Sequence, residues 1–151
     1  MAPLTEHELA QINIARLKAP LDSPQLAEFV AGLDPVNAVA DAAEGFVWRL
    51  QSDEGNATDI GVFGDEWLIV NMSVWRDVDS LKAFMYDGLH RDLLRRRREW
   101  FERLHEAVTA LWWVPAGHRP SVAEAEQRLL HLRKHGATPH AFTLREIHLV
   151  G

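Results

Sequence analysis

Cysteine is absent from this sequence of 151 residues. The chain therefore has no disulfide, no thiolate metal site and no cysteine nucleophile. Long hydrophobic runs are absent too: a helix that crosses a bilayer needs about 20 apolar residues, and stretches such as ALWWVPA are far shorter. The start, MAPLTEHELAQ, lacks the basic and then apolar pattern of a signal peptide. These absences predict a cytoplasmic protein with no membrane span.

Positive charge is in deficit, since 16 Lys and Arg residues face 22 Asp and Glu residues and leave a net charge of −6. A negative chain does not attract phosphates, which argues against nucleic acid as a partner. Hydrophobic residues make up 47% and charged residues 25%, as in an ordinary globular protein. The length predicts one domain over residues 1–151. Six tryptophans favour extensive aromatic packing or an aromatic-lined cavity.

Apolar periodicity and turn residues predict the order of the elements. Alternation around Ile12 and Ile14 predicts a strand over 9–17. Ser23 and Pro24 predict the start of a helix that restarts at Asp34-Pro35 and ends at Gly45. The remaining predictions are strands over 46–51, 66–75 and 107–115, a polar connection over 52–65, a helical region over 77–104, a helix from Ser121 to about His135, and an edge strand or partner-bound tail over 141–150.

This order, β-α-β-β-α-β with an added helix, predicts an α+β, ferredoxin-like fold. Two helices on one side of the sheet would leave its other face uncovered. The strands nevertheless carry large apolar groups on both faces, as Trp112 and Trp113 show. We therefore expect a second sheet to bury the open face, so that a homodimer forms a dimeric α/β barrel.

The helical region over 77–104 changes its apolar face at Asp87-Gly88, which predicts a break with Asp87 as the new N-cap. Four arginines, Arg95 to Arg98, follow the break and point in four directions, with only Arg97 on the apolar side. Steps of three and four residues place one set of side chains along that side: Tyr86, His90, Leu93, Arg97, Trp100 and Leu104.

His90 and Arg97 are the first candidate pair. A histidine beside a fixed positive group can act as a general base next to an oxyanion partner, in a pocket under the sheet. The alternative is a histidine hydrogen-bonded in the interior and arginines that make surface ion pairs with Glu99 and Glu102. Both interpretations agree with the sequence.

Two mid-strand asparagines form a second candidate site. Asn13 and Asn71 need partners for their amides, and Asn71 shares a strand face with Trp75. They could hold a ligand carbonyl or hydroxyl beside an aromatic wall, or they could satisfy backbone groups in the core. His131 and His135 have the spacing of two metal ligands on one helix, but a surface pair explains them better. The sequence has no HExxH, GxGxxG, P-loop or GxSxG motif.

The segments NIARL, NMSVW, YDGLHRDLLRRRREWFE, LWWVPAGHRPSVAEA and HGATPHAFTL together resemble a bacterial family known only as a domain of unknown function. That family is similar to the dimeric α/β-barrel superfamily of antibiotic-biosynthesis and haem-degrading monooxygenases. The resemblance implies the same fold and dimer. It also implies a ligand surrounded by a first-strand Asn, a third-strand Trp and a helix His, which correspond to Asn13, Trp75 and His90. The pair Asn71 and Trp75 resembles cofactor-free monooxygenases that deprotonate a phenol.

The leading hypothesis is a homodimer that binds a hydrophobic, oxygenated small molecule and acts on it without metal or cofactor. His90 is the predicted acid and base, and Arg97 and Asn71 are predicted to stabilise negative charge. Oxygenation, cyclisation and isomerisation all remain open. The alternatives are haem binding or degradation through His90, and a binding module without catalysis. The predicted substrate-binding residues are Asn13, Trp48, Trp75, Tyr86, Trp100 and Trp112.

Overall fold

One antiparallel sheet organises the computed structural model, which describes residues 6–52, 58 and 60–150. Its strands are β1 His7–Leu17, β2 Phe46–Arg49, β3 Leu68–Trp75, β4 Phe101–Glu102 and β5 Thr109–Pro115. Its helices are α1 Ala27–Ala42, α2 Val78–Met85, α3 Gly88–Arg95, α4 Arg97–Trp100 and α5 Val122–His135, with a 3-10 turn at Pro24–Leu26. Part of the predicted polar connection, residues 53–57 and 59, lies outside the described residues.

The strand order confirms the predicted α+β, ferredoxin-like class. β1 pairs with β3 on one side and with β5 on the other, and β2 pairs with the far edge of β3. The two-residue β4 pairs with the end of β1, beyond β5. All these pairings are antiparallel, as expected when a strand is inserted between the two parallel strands of a βαβ unit. No helix among the described residues has the length and apolar character that a membrane span requires.

Each face of the sheet is covered by different helices, because successive side chains of a strand point to opposite faces. The face with Ile12 and Met72 carries α5, whose Ala125, Leu129 and Leu132 complete the main core. The other face carries α1 and the broken helix α2 to α4. There the core has one cluster around Leu9, Trp75 and Leu81, and another around Leu17, Phe29 and Trp100.

The expectation of an uncovered sheet face was wrong. Helix α5 and Val62, both from the same chain, pack on that face, and its Met72 and Trp112 are fully buried. The sequence indicated α5 as a helix but not its docking position, which depends on contacts far apart in the chain. The homodimer remains a prediction, but the argument from an exposed apolar sheet no longer supports it.

The break at Asp87 is confirmed. The Asp87 carboxylate accepts a hydrogen bond from the backbone N–H of Leu89 at 3.0 Å and caps α3. A second break at Arg96, which the sequence did not predict, separates α3 from α4. The helix then ends at Trp100, and the helical prediction for 101–104 was wrong because Phe101 and Glu102 pair with β1 as β4.

The first helix differs from prediction at both ends. The Ser23 hydroxyl donates to the carbonyl of Pro20 at 2.5 Å instead of capping, so a 3-10 turn precedes α1. No restart occurs at Pro35: α1 runs through it, since packing of Phe29 and Ala40 against the sheet outweighs one lost helical hydrogen bond. The helix ends at Ala42, and Gly45 follows with φ +81°.

The C-terminal part follows prediction more closely. Ser121 caps α5 by accepting from the backbone N–H of Glu124 at 3.1 Å, and Gly136 ends the helix with φ +74°. Beyond it, the predicted edge strand is reduced to isolated bridges. One of them joins the sheet: Phe142 and Leu111 exchange two backbone hydrogen bonds of 2.8 and 2.9 Å.

Candidate functional site

A cavity of about 390 Å³ lies between the sheet and helices α1, α3 and α4. Its floor is the β1 and β3 face opposite α5, where the pairing register sets Asn13 directly across from Asn71. Its walls include Phe29 from α1, Leu93 from α3 and Trp100 from α4. Both volume and composition are within the range of small-molecule sites, which are concave, mostly apolar and about 300–1,000 Å³ in size.

Five of the nine predicted site residues line this cavity: Asn13, Asn71, His90, Arg97 and Trp100. The two asparagines come together because strand parity puts both on one sheet face and the pairing of β1 with β3 sets them opposite each other. The other three come together because spacings of seven and three residues along α3 and α4 keep one side facing the sheet, even across the break at Arg96.

The other four predicted residues lie outside the cavity. Trp75 is fully buried beneath α2, and Tyr86, 69% exposed, lies in the break before α3 and faces solvent. Trp112 is buried on the opposite sheet face, where its indole Nε1 donates to Glu124 at 3.0 Å. Trp48 aligns with Val74 and packs towards that same opposite face. None of these four residues therefore lines the cavity.

His90 is held by the end of helix α2. Its Nδ1 lies 3.2 Å from the carbonyl oxygen of Met85, so Nδ1 carries the proton and donates it. Its ring packs against Phe84 at 4.9 Å between centroids, and Phe84 in turn stacks on Trp75 at 5.1 Å. Burial lowers the pKa of His90 below its ordinary value of 6.5, although the Met85 carbonyl and Asp87 act in the opposite direction. The imidazole is therefore neutral at neutral pH, and its Nε2 is a proton acceptor.

A buried glutamine, which the sequence analysis missed, orients Asn71. The Nε2 of Gln11 donates to the Asn71 Oδ1 and to the Ser73 Oγ, both at 2.8 Å. The indole Nε1 of Trp75 also donates to Ser73 Oγ at 2.8 Å. Gln11 is only 8% exposed. A polar residue amid the apolar alternation of β1 was the available signal, but its partners become visible only with the register between strands.

The run of four arginines divides into two structural pairs. Arg95 lies 3.8 Å from Asp92, and Arg96 bonds Glu99 through two nitrogens at 2.8 and 2.9 Å, contacts Glu28 and covers the ring of Trp100 at 4.8 Å. Arg97 and Arg98 line the cavity instead. Within the described part of the chain, neither has a carboxylate within 4.0 Å, and the Arg97 Nη1 donates to the carbonyl of Leu94 at 2.8 Å.

The predicted ion pairs were correct in part. Glu99 pairs as expected, and Arg96 lowers its pKa through their hydrogen bonds. Glu102 pairs with Arg16 at 3.1 Å and not with the arginine run, because β4 carries it towards β1. Helical spacing placed only Arg97 of the four arginines on the apolar side, so the position of Arg98 at the cavity was missed. That expectation assumed an unbroken helix, whereas α4 begins at Arg97 after the break at Arg96.

Few residues could hold a metal or cofactor. No group of three His, Asp or Glu residues in the described ranges is arranged to hold a metal ion. His131 packs against His135 and His140 at 4.5 Å between ring centroids, and its Nε2 pairs with the hydroxyl of Thr138 at 3.0 Å. In the cavity, His90 could offer Nε2 as a ligand to a haem iron, because Nδ1 is already engaged.

Residues 8–150 match the family described as Domain of unknown function (DUF3291). No curated protein matches the sequence. Among solved structures, PA3566 from Pseudomonas aeruginosa is 14% identical with a TM-score of 0.50, over 77% of this chain and 100% of that chain. SO0527 from Shewanella oneidensis is 8% identical with a TM-score of 0.50, over 72% and 92%. SnoaB, a cofactor-independent oxygenase from Streptomyces nogalater, is 16% identical with a TM-score of 0.45, over 74% and 95%. At these identities the likeness concerns the fold alone.

Proposed function

This chain belongs to the DUF3291 family, a domain of unknown function, and we infer its function from its cavity. We propose that the cavity binds a hydrophobic, oxygenated small molecule and that His90 transfers a proton on it. In this proposal the protein side chains act without a metal or cofactor. One observation carries this proposal: the His90 Nδ1 is fixed on the Met85 carbonyl, which leaves Nε2 as a base in a cavity that Asn71 and Arg97 also line.

The lining supports binding of an apolar body with few oxygens. Phe29, Leu33, Ile69, Leu93 and Trp100 provide apolar surface, and Trp100 is fixed by Phe29 at 5.4 Å between ring centroids. Polar side chains on the floor and at the wall, Asn13, Asn71 and Arg97, can orient an oxygen atom. A mostly apolar site with a few placed polar groups is the usual arrangement for small-molecule recognition.

The proposed reaction begins with an acidic C–H or O–H bond of the substrate. His90 Nε2 takes the proton, so that bond breaks, an N–H bond forms and the electron pair moves onto a substrate oxygen as enolate or phenolate. The Asn71 amide and the Arg97 guanidinium stabilise this oxyanion. Return of the proton at another carbon gives isomerisation, and attack of the carbanion on a carbonyl of the same molecule gives cyclisation. Oxygenation would in addition consume dioxygen.

The test uses 2-tetralone, an apolar aromatic ketone with acidic C–H bonds next to its carbonyl. Proton NMR in D₂O at pH 7 measures how fast these protons exchange for deuterium. We expect the protein to accelerate exchange. His90→Gln should lower the exchange rate by about 10²-fold or more, and Asn71→Ala should lower it by less. His105→Gln, which changes an exposed histidine outside the cavity, is the matched control.

The same experiment separates catalysis from simple binding. If chemical-shift changes show 2-tetralone bound near Trp100 and exchange is not accelerated, the acid-base role of His90 fails and the cavity is that of a binding module. If exchange is accelerated equally in wild type and His90→Gln, another group acts as the base. Either result would refute the proposed mechanism.

A further inference from the structure

The cavity has more free positive charge than the proposed reaction needs. Among the residues that the structure describes, its lining contains three guanidinium groups and one carboxylate, although the chain as a whole has a net charge of −6. Arg49 is bound by Asp41 at 2.8 Å, and the one carboxylate, Glu102, is bound by Arg16 at 3.1 Å. Arg97 and Arg98 therefore leave two positive charges uncompensated by any described carboxylate. A single enolate or phenolate would balance one of them.

The neutral polar groups of the floor add to this donor character. Because the Asn71 Oδ1 accepts from Gln11, the Nδ2 amino group of Asn71 is the part left to bond a ligand. The Ser73 hydroxyl already accepts from Gln11 and Trp75. The network thus leaves one donor for the cavity, the Asn71 Nδ2 amino group, which matches a ligand oxygen that accepts hydrogen bonds.

The chain segment that carries Arg98 is anchored on both sides. The Lys18 Nζ donates to the Arg98 carbonyl, and the backbone N–H of Lys18 donates to the Trp100 carbonyl at 2.9 Å. On the other side, the Gln25 amide donates to the Glu99 carbonyl at 3.0 Å. These bonds fix α4 between the end of β1 and the 3-10 turn. Arg98 is therefore presented from a rigid position, which reduces the entropy lost when it binds an anion.

We propose that the ligand is an apolar monocarboxylate whose carboxylate is bound by Arg98 and whose body packs against Phe29, Leu93 and Trp100. This inference rests on the proposed function and adds the substrate class. Arg97 remains the partner of the oxyanion that forms during the reaction. Arg98 binds the carboxylate, which the ligand carries before the reaction begins. A guanidinium has a planar fork of N–H groups that matches the two oxygens of a carboxylate.

Isothermal titration calorimetry on the full chain tests this with three acids and their uncharged amides: benzoate, 2-naphthoate and octanoate against benzamide, 2-naphthamide and octanamide. We expect at least one acid to bind about tenfold or more tightly than its amide. Arg98→Gln should remove this preference, and Arg98→Lys, which keeps the charge, should retain part of it. Arg95→Gln is the matched control from the same run, because Arg95 lies outside the cavity lining beside Asp92, and it should retain the full preference.

Each other outcome has a distinct meaning. If an amide binds as tightly as its acid, or if Arg98→Gln keeps the preference, the carboxylate inference is overturned, while the proposed binding of an apolar molecule stands. If 2-naphthyl phosphate binds more tightly than 2-naphthoate, the anionic group is a phosphate and the inference is likewise overturned. If none of the acids or amides binds the wild-type chain, both this inference and the binding part of the proposed function fail.

Discussion

His90 Nδ1 lies 3.2 Å from the carbonyl oxygen of Met85, the last residue of α2. The bond crosses the break between α2 and α3, so the end of one helix sets the tautomer of a histidine on the next. That carbonyl is one of the groups that a helix terminus leaves without an intrahelical partner. A break in the helix therefore both re-aims α3 towards the sheet and orients the imidazole at the cavity.

The first prediction concerns stability as a function of pH. Burial lowers the pKa of His90 in the folded state, so the unfolded chain binds a proton more readily. The contribution of His90 to the free energy of unfolding should therefore be full above about pH 6.5. It should be lost as pH falls from about 6.5 through the lowered pKa of the folded state. Urea denaturation of wild type and His90→Gln, from pH 8 to pH 4.5, measures the difference.

The comparison is needed because burial also lowers the pKa of His131 and His140, which adds a pH dependence of the same sign. Glutamine can still donate to the Met85 carbonyl but does not titrate. The difference in free energy of unfolding between wild type and His90→Gln should be constant above about pH 6.5 and should decrease below it. A difference that does not change with pH, or that widens in acid, would contradict the lowered pKa of His90.

The second prediction concerns Asp87, whose carboxylate raises the pKa of His90 against the effect of burial. Asp87→Asn removes the charge but keeps a good N-cap for α3, so the pKa of His90 should fall further with little loss of stability. Asp87→Ala should cause the same fall and cost about 1 kcal/mol as well, because the cap to Leu89 is lost.

NMR titration of the His90 imidazole protons measures the shift. Asp92→Asn is the control, because Asp92 lies on the same helix, pairs with Arg95 and is exposed. The pKa of His90 should be the same in Asp92→Asn and in wild type. An equal shift in both variants would mean that the general charge of α3, and not Asp87, acts on the imidazole.

The parts of the fold that follow from short-range patterns were predictable from the sequence. Strand parity placed Asn13 and Asn71 on one face, because alternation has a period of two whatever the rest of the chain does. The glycine after Asp87 indicated a break. The break at Arg96 has no such signal, since arginine is a good helix former. The contact of Arg96 to Glu28 of α1 comes from tertiary packing, which a local pattern does not contain.

The site was predictable to the same extent. Helical spacing placed His90, Arg97 and Trp100 on one wall, whereas Tyr86 precedes the break and follows another phase. Arg98, which follows the unpredicted break at Arg96, also lines the cavity. The role of Gln11 depends on the pairing of β1 with β3, and pairing partners are not contained in either strand alone. The docking of α5 on the second sheet face is a long-range property of the same kind.

The third prediction concerns Gln11, which we infer to be a positioning residue. In Gln11→Glu the side chain can no longer donate to the Asn71 Oδ1, so the Asn71 amide should turn and present its oxygen to the cavity. Affinity for 2-naphthoate should fall by about tenfold and affinity for 2-naphthamide much less. Gln127→Glu adds the same charge at an exposed position of α5 and should leave both affinities unchanged. Equal losses for acid and amide in Gln11→Glu would indicate general disruption instead.

The fourth prediction concerns haem as an alternative ligand. His90 could supply a nitrogen ligand to the iron, but the cavity of about 390 Å³ lies at the low end of small-molecule sites and haem is among the largest cofactors. Haemin titration should therefore give no Soret band that depends on His90. A Soret band in wild type that is absent in His90→Gln and retained in His105→Gln would replace the proposed function with haem binding.

The last prediction concerns Gly45, where α1 leads into β2 beside the start of α2. Its φ is +81°, and a Cβ atom there would lie 2.0 Å from the Ser80 Oγ and 2.5 Å from the Ser80 Cβ. Gly45→Ala should therefore lower the free energy of unfolding by about 3 kcal/mol or more, through both backbone strain and overlap. Gly117, with φ +88° and no atom within 4 Å of a built Cβ, is the matched control. Gly117→Ala should cost only the backbone strain, about 1 kcal/mol.

Urea denaturation of both variants measures the costs, and Ser80→Gly separates the two causes in Gly45→Ala. Removal of the Ser80 side chain should restore about half of the loss when combined with Gly45→Ala, because the overlap disappears while the strain stays. Ser80→Gly alone should destabilise α2, since glycine is a poor helix residue, so the interaction energy is read from the full double-mutant cycle. A Gly45→Ala variant no less stable than Gly117→Ala would show that Gly45 and Ser80 do not approach as closely as this geometry requires.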